Sequence, residues 1–181
     1  YYGIKNEDVL FTYVCKHCGQ WAISPYLGED IDCPFCGTKK SLVTPTITNG
    51  VHDDEMRYLY GIADASLSIF TSGGYEYGGV QALMCGQPLA CTNYFCGVDF
   101  CQQDFVHPVS YHPYHEAGTN FIKAASDVRD IKRFINKIWK SSKRDIQEIG
   151  AKSRAWAAKT FSIDTVGAQW ERVFDAAIPR D

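Results

Sequence analysis

The chain has 181 residues, of which 45% are apolar and 22% charged, and its formal net charge is −3. This near-average composition excludes a disordered, collagen-like or coiled-coil protein, and the length suits one domain with a small subdomain. No stretch is apolar for long enough to span a bilayer and no secretory signal opens the chain, so we expect a soluble, cytoplasmic protein.

The eight cysteines fall into two groups. Four form two C-x-x-C pairs, Cys15 with Cys18 and Cys33 with Cys36, and fourteen residues separate the pairs. The other four are spread without this spacing: Cys85, Cys91, Cys96 and Cys101. The first three of them are most simply buried small apolar groups. Both groups fit a reducing compartment better than secretion.

The paired spacing predicts a zinc ribbon. Two residues between thiolates let one tight turn direct both sulfurs at a single ion, and a second turn completes the tetrahedron. Gly19 and Gly37 follow the two turns and permit the positive φ that such turns need. A thioredoxin-like redox pair fits two tandem pairs less well, and two structural disulfides would suit a secreted chain, which this sequence does not resemble. Because four thiolates leave no open position, we expect a structural zinc ion bound by Cys15, Cys18, Cys33 and Cys36.

The rest of the chain predicts an α/β fold. We place a leading strand and the ribbon in residues 1–48 and a second domain in residues 49–181. Residues 40–48 are rich in β-branched side chains but contain Pro45, which predicts an edge strand or an extended linker. A helix at 53–63, a strand at 65–71, a helix at 79–85 and a strand at 88–92 then alternate. This alternation indicates a Rossmann-like parallel sheet with flanking helices.

The second half of the chain is predicted to be mostly helical. Residues 96–118 read as a loop, residues 121–124 as a short strand, and three apolar patterns of helical period predict a C-terminal helical tail at 127–140, 144–160 and 163–177. The loop contains a group of histidines that, with Cys101, is an alternative candidate for a second metal site: His107, His112 and His115. Ordinary loop histidines are the simpler interpretation.

Charge is distributed unevenly along the sequence. Residues 127–160 carry ten Lys or Arg and four Asp or Glu, which leaves a net charge of −9 for the remainder. Such asymmetry is found on surfaces that bind polyanions such as DNA, and also on ordinary solvated helices. Both interpretations stay open.

A glycine-rich segment is the best candidate for a binding loop. Ser72, Gly73 and Gly74 follow a predicted strand, and Glu76 precedes a predicted helix. In α/β sheets ligands bind beyond the carboxyl ends of the strands, where free N–H groups can hold a diphosphate. Glu76 and Gln81 could bond sugar hydroxyls, although an ordinary tight turn with a solvated glutamate has the same pattern.

Residues 49–177 resemble the C-terminal, donor-binding half of retaining glycosyltransferases of the GT-B fold, the "glycosyl transferases group 1" kind. The resemblance is carried by residues 59–64 (LYGIAD), by residues 82–89 (ALMCGQPL) and by the closing helices. Residues 71–76 (TSGGYE) and 92–97 (TNYFCG) are similar to a phage and bacterial subgroup that carries a zinc ribbon before this domain. A phage protein of this kind would work in the cytoplasm of its bacterial host.

The resemblance implies a retaining hexosyltransferase that takes a UDP- or GDP-sugar and has no catalytic metal. It places Glu76 at the sugar as the catalytic candidate and Gln81 at the ribose. Ser72, Gly73 and Gly74 would lie at the phosphates or the sugar.

The sequence also departs from the family pattern. Gln81 stands where the family has its ribose-binding glutamate, and Gly73 where it has an earlier glutamate. The family's basic residues for the diphosphate and its N-terminal acceptor-binding half have no counterpart in this sequence. We therefore expect the C-terminal half of a catalytic unit, with a modified DNA base as one possible acceptor. The alternatives are a non-catalytic zinc-ribbon module that binds nucleic acid or protein, and a degenerate half that serves as a scaffold.

Overall fold

The computed structural model describes residues 5–29, 31–46 and 48–178 and has a mixed α/β fold. The chain divides into two compact units, Tyr1–Tyr58 and Leu59–Asp181. This division falls inside the first α-helix, α1 (Asp53–Gly61), a little after the boundary that the sequence suggested.

The first unit contains a small antiparallel sheet. Its strands are β1 (Leu10–Cys15), β2 (Trp21–Pro25) and β3 (Leu42–Val43), in the order β2-β1-β3, and a 3-10 turn at Asn6–Asp8 precedes them. Tyr13 on the central strand is fully buried, and its hydroxyl accepts a hydrogen bond from the backbone N–H of Leu27 at 2.8 Å. The core of this unit is therefore built around the middle of β1.

The strand predicted at residues 40–48 is confirmed only at its start. Leu42 and Val43 pair with β1 at the edge of the sheet, as the proline predicted, but the pairing ends before Pro45. Thr46 then pairs with Asn49 in an isolated bridge, and Ile47 lies outside the described residues.

The second unit has a parallel sheet of three strands among its described residues. They are β4 (Ser66–Ser68), β5 (Leu89–Thr92) and β6 (Val106–Val109), in that order, with α2 (Tyr77–Met84) and α3 (Gly97–Cys101) as the crossovers. An antiparallel hairpin follows, made of β7 (Tyr111–His115) and β8 (Ile122–Ser126). The chain continues into α4 (Val128–Lys140), α5 (Lys143–Phe161) and α6 (Ile163–Ala177).

Helices cover both faces of the parallel sheet. Successive side chains of a strand point to opposite faces. Leu89 and Cys91 of β5 accordingly pack with residues of α2 and α5, whereas Ala90 packs with Phe134 of α4. The predicted alternation of strand and helix is confirmed at this level.

The helical tail agrees closely with the sequence pattern. Each helix begins at a capping side chain that accepts a backbone N–H: Asp127 for α4, Ser142 for α5 and Ser162 for α6. Such caps satisfy N–H groups that have no partner within the helix. None of the described helices combines the length and the apolar character that crossing a membrane requires.

The loop predicted at residues 96–118 is wrong. This segment forms α3, β6 and β7. Strand β6 tolerates Pro108 because it lies at the edge of the parallel sheet, where a proline can be accommodated. Asn93 donates its N–H to the carbonyl oxygen of Val109 at 2.9 Å. This bond shows that the backbone groups of Val109 point toward β5. Neighbouring residues of a strand direct their N–H and C=O groups to opposite sides, so the nitrogen of Pro108 points away from β5.

Candidate functional site

Four cysteine sulfurs converge in the first unit. One ligand atom from each of Cys15, Cys18, Cys33 and Cys36 lies within 4.8 Å of the others. The sulfurs of Cys15 and Cys36 are 3.8 Å apart, and so are those of Cys18 and Cys33. The structure thus brings together the full set of ligands predicted from the sequence, and all eight cysteines of the chain are free thiols.

Two tight turns hold this cluster. Gly19 and Gly37 donate their N–H groups to the carbonyl oxygens of Cys15 and Cys33, each at 3.0 Å. Both glycines have φ of 72°, which confirms the prediction of a left-handed residue after each pair. The backbone N–H groups of residues 17 and 18 point at Cys15 Sγ from 3.3 and 3.4 Å. The backbone is therefore arranged to stabilise negative charge on sulfur.

Three of the cluster's cysteines, Cys15, Cys18 and Cys36, have shifted pKa values. Hydrogen bonds to Thr38 lower the pKa of Cys36 to about 5. Burial raises the pKa of Cys15, but a hydrogen bond with the Ser41 hydroxyl and others from backbone N–H groups outweigh it and bring the value to about 7. A backbone hydrogen bond with Gln20 lowers the pKa of Cys18, yet burial and the neighbouring sulfurs raise it to about 12. Four thiolates this close need a cation, and its binding releases protons.

The cluster fits a zinc ion. Tetrahedral zinc with Zn–S bonds of about 2.3 Å places its sulfurs about 3.8 Å apart, which is the spacing of both close pairs. Four soft thiolates are the donor set that zinc prefers. A bound zinc ion would join the two turns and balance their charge, and it would have no open position for catalysis.

The second unit has a cleft at the carboxyl edge of its parallel sheet. The loop after β4 contributes Ser72, Gly73 and Gly74, and the loop after β5 contributes Tyr94 and Phe95. Strand β8 and the residue before it form the remaining wall through Phe121, Ile122 and Lys123. We call this space, of about 370 Å³, the edge cleft.

Hydrogen bonds tie the walls of the edge cleft together. Ala124 of β8 donates its N–H to the carbonyl oxygen of Thr71 at 2.8 Å. The hydroxyl of Tyr94 donates to the carbonyl oxygen of Ile122, also at 2.8 Å. The β7–β8 hairpin is therefore anchored to both loops that line the cleft.

Glu76 lies beside the edge cleft but faces a different pocket. Its side chain is half-buried at the N-cap position of α2 and makes no capping hydrogen bond. It lines a pocket of about 220 Å³ with Tyr60 and Ser68, and the buried hydroxyl of Ser68 has no hydrogen-bond partner among the described residues. A Cβ built on Gly73 would lie 4.0 Å from Glu76 Oε2, so the Glu76 carboxylate is close to the glycine loop of the edge cleft.

Gln81 has a partner within the fold. Its Oε1 accepts a hydrogen bond at 3.0 Å from the hydroxyl of Tyr60, which lies near the end of α1. Burial raises the pKa of that hydroxyl above its ordinary value. The structure thus brings Ser72, Gly73 and Gly74 into one cleft, puts Glu76 in the adjoining pocket, and ties Gln81 to α1.

Sequence reasoning missed the far wall of the edge cleft. Lys123 and Phe121 come from the β7–β8 hairpin, half of which falls in the segment predicted as a loop. Residues 121–126 show no regular alternation of apolar and polar side chains, so no local signal marks these two residues as part of a cleft.

The histidines of residues 107–115 do not form a metal site with Cys101. His107 Nε2 lies 3.2 Å from the carbonyl oxygen of Asp130, and His115 Nδ1 lies 3.4 Å from that of Asn120. Across the part of the chain that the structure describes, the four-cysteine cluster is the only group with the geometry to hold a metal. The histidines also do not lie in a loop as predicted, because His107 is on β6 and His112 and His115 are on β7.

The basic region at 127–160 is partly neutralised by its own carboxylates. Arg129 pairs with Asp127 at 2.6 Å, Arg144 pairs with Glu148 at 2.9 Å, and an ion pair also joins Arg133 to Asp130. Binding of DNA by this surface stays a prediction.

Comparison with protein-family models, with curated proteins and with solved structures finds no match for this chain. The likeness to glycosyltransferases therefore rests on the sequence motifs alone.

Proposed function

We propose that the second unit binds a nucleotide-sugar, such as a UDP- or GDP-sugar, in the edge cleft. The chain would be the donor-binding half of a retaining GT-B glycosyltransferase that transfers a hexose. One observation carries this proposal. The loops that follow the adjacent parallel strands β4 and β5 line a single cleft together with Lys123, at the carboxyl edge of the sheet. Ligands of α/β proteins bind at this edge.

The chemistry of the edge cleft suits a diphosphate that is linked to a base and a sugar. Ser72, Gly73 and Gly74 bring backbone N–H groups close to the ligand, because glycine has no side chain to keep a phosphate away. The exposed rings of Phe95 and Phe121 offer flat apolar surface for a base or a sugar. The layered β4-α2-β5-α3-β6 arrangement supports the Rossmann-like part of the proposal.

The adjoining pocket suits the sugar. The carboxylate of Glu76 would accept hydrogen bonds from sugar hydroxyls, and the unpartnered Ser68 hydroxyl faces the same pocket. During transfer, negative charge develops on the departing diphosphate, and fixed N–H groups and cations stabilise it. Gln81 contributes less directly in this proposal, by holding Tyr60 at the rim of the pocket.

Ligand-induced stabilisation tests the proposal. UDP or GDP at millimolar concentration should raise the melting temperature, since a ligand that binds only the folded state stabilises it. Phe95→Ala should reduce the rise, whereas Phe35→Ala, which removes an exposed ring of the first unit, should leave it unchanged.

A melting temperature that nucleotides do not change would contradict the proposal. If UDP, GDP and ADP all leave the melting temperature unchanged, the edge cleft is not a nucleotide site. A rise with DNA or RNA and none with nucleotides would favour the non-catalytic zinc-ribbon module instead.

Transfer itself should require an acceptor site. By the resemblance, the acceptor is held by a separate half, and positioning of the reactants supplies much of the rate of such a reaction. We expect residues 1–181 alone to release little nucleotide from a nucleotide-sugar. Release should increase when an acceptor-binding half is supplied together with an acceptor such as hydroxymethylated DNA.

A further inference from the structure

We propose that Lys123 is the residue that neutralises the diphosphate in the edge cleft, and that Glu116 competes with the ligand for the Lys123 ammonium group. The inference rests on the proposed function and goes further, because it names a positively charged residue for the diphosphate, which the sequence motifs do not provide. It makes the β7–β8 hairpin a part of the donor site.

Lys123 is positioned toward the glycine loop. It lies on β8, one residue before the Ala124 N–H that bonds to Thr71, and it lines the edge cleft with Ser72, Gly73 and Gly74. Its side chain is only 22% exposed. Among the described residues that line the cleft, it is the only one with a charged side chain. An anion in this cleft would therefore have Lys123 as the one positively charged residue of the described lining.

Glu116 already holds this ammonium group. The carboxylate of Glu116 forms an ion pair with Lys123, and its second oxygen accepts a hydrogen bond from Thr119 Oγ1 at 2.6 Å. The backbone N–H of Glu116 donates to the carbonyl oxygen of Phe121 at 2.8 Å, so the carboxylate is fixed at the hairpin end. The hydrogen bond from Lys123 lowers the pKa of Glu116, and the same bond raises the pKa of Lys123. Both groups are charged at neutral pH.

A diphosphate can displace this carboxylate. It carries more negative charge than one carboxylate, and the N–H groups of the Ser72–Gly74 loop would add donors that Glu116 does not receive. The ammonium group of a lysine has three donors and a flexible stem, so it can turn from one acceptor to the other. Glu116 would thus lower the affinity for the diphosphate without preventing its binding.

The backbone at the cleft rim provides an independent observation. Phe95 has φ of 50°, a left-handed conformation that is an outlier for a bulky residue. Its ring is 67% exposed and stands at the cleft with Phe121, whose ring is 68% exposed. Strained residues persist where the surrounding structure imposes them, and they concentrate at ligand sites. Two exposed rings thus line the same cleft as Lys123.

Calorimetric titration of the full chain tests the inference. The probes are UDP and GDP, each compared with its nucleoside, uridine or guanosine. We expect Lys123→Ala to weaken binding of the diphosphate by about tenfold, the loss expected for one charge-assisted hydrogen bond. Binding of the nucleoside should not change. Lys123→Arg should retain most of the affinity, because it keeps the charge.

The Glu116→Gln variant tests the competition. The amide that replaces the carboxylate would keep the hydrogen bond to Thr119 but would lose the charge that attracts Lys123, so the diphosphate should bind about two- to fivefold more tightly. Lys132→Ala serves as the control, since it removes an exposed lysine of α4 that does not line the cleft. Circular dichroism of each variant checks that the fold is retained.

The outcomes separate the two proposals. If the natural chain binds neither nucleotide, the proposed function fails and this inference fails with it. If it binds UDP or GDP and Lys123→Ala binds equally well, the inference alone is overturned. If Glu116→Gln weakens binding as Lys123→Ala does, the competition is overturned, and Glu116 serves to position Lys123.

Discussion

Gly86 and Gly150 face each other without side chains between them. A Cβ atom on Gly150 would overlap the carbonyl oxygen of Gly86, and one on Gly86 would lie 3.3 Å from the carbonyl oxygen of Gly150. Gly86 has φ of 75° and ends α2, while Gly150 lies in the first half of α5. The backbone of α5 therefore touches the end of α2, and this contact sets how closely the two helices pack.

Alanine substitutions at Gly150, which makes this contact, and at Gly167, which does not, should have opposite effects on the free energy of unfolding. Gly150→Ala should lower the free energy of unfolding by about 2 kcal/mol or more, because the new methyl group has no space. Gly167→Ala in α6 meets no atom within 4 Å and should raise it by about 1 kcal/mol through helix propensity. Urea unfolding measures both, and equal effects of the two substitutions would contradict the close approach.

Much of the fold could be predicted from local signals. The three C-terminal helices follow from their apolar period and from caps such as Asp127 and Ser142, which act within a few residues. The contact of Gly86 with Gly150 could not be predicted, since it depends on how two distant helices meet. Residues 106–115 were missed for a related reason: two prolines hide strands that only their partners in space reveal.

The four-cysteine cluster predicts the zinc content of the protein. The purified chain should contain about one zinc ion, and Cys33→Ser should remove most of it and much of the order of the first unit, because metal binding and local folding are coupled. Cys85→Ser changes an exposed thiol outside the cluster and should leave the zinc content unchanged. Elemental analysis of the natural chain and both variants decides the matter. A metal-free natural chain with disulfides at these four positions would contradict the proposed site.

Acid should weaken the start of α4. The side chain and the backbone N–H of Arg129 lower the pKa of Asp127 from 3.8 to about 2. A carboxylate with a lowered pKa in the folded state contributes stability above its usual pKa and loses it as the pH falls toward the lowered value. The contribution of Asp127 should thus be complete at neutral pH and disappear between pH 3.8 and about 2.

Two variants separate the charge of Asp127 from its capping role. Asp127→Asn keeps a good capping residue but has no charge to titrate, whereas Asp127→Ala removes both. Urea unfolding at several pH values should show the natural chain approaching the asparagine variant as acid is added. The alanine variant should be less stable than both at every pH. A constant gap between the natural chain and the asparagine variant would refute this role for the ion pair with Arg129.

The Tyr60–Gln81 hydrogen bond gives a prediction about the candidate site. Tyr60→Phe and Gln81→Ala each remove this bond and should each lower the free energy of unfolding by about 1 kcal/mol. The double variant should lose less than the sum of the two, because the residues share one interaction. If Gln81 also touches the ribose of a bound nucleotide, Gln81→Ala should weaken nucleotide binding more than Tyr60→Phe does, as titration calorimetry would show.

The candidate site was less predictable than the fold. The cysteine ligands follow from spacing because each turn is local, and the structure brings all four together. Ser72, Gly73 and Gly74 could be found because the loop after a parallel strand has a recognisable composition. Lys123 could not, since its place in the edge cleft depends on the pairing of β8 with β7 and on the bond from Ala124 to Thr71.

The outer side of β6 is closed to further strands. Pro108 has no N–H, the N–H of Val106 is donated to the carbonyl oxygen of Gln103 at 3.1 Å, and that of Ser110 is donated to Asp130 Oδ2 at 2.9 Å. A strand that approached this side would find no donor between residues 106 and 110 and could not form a regular ladder. This margin of the sheet is therefore protected against edge-to-edge aggregation.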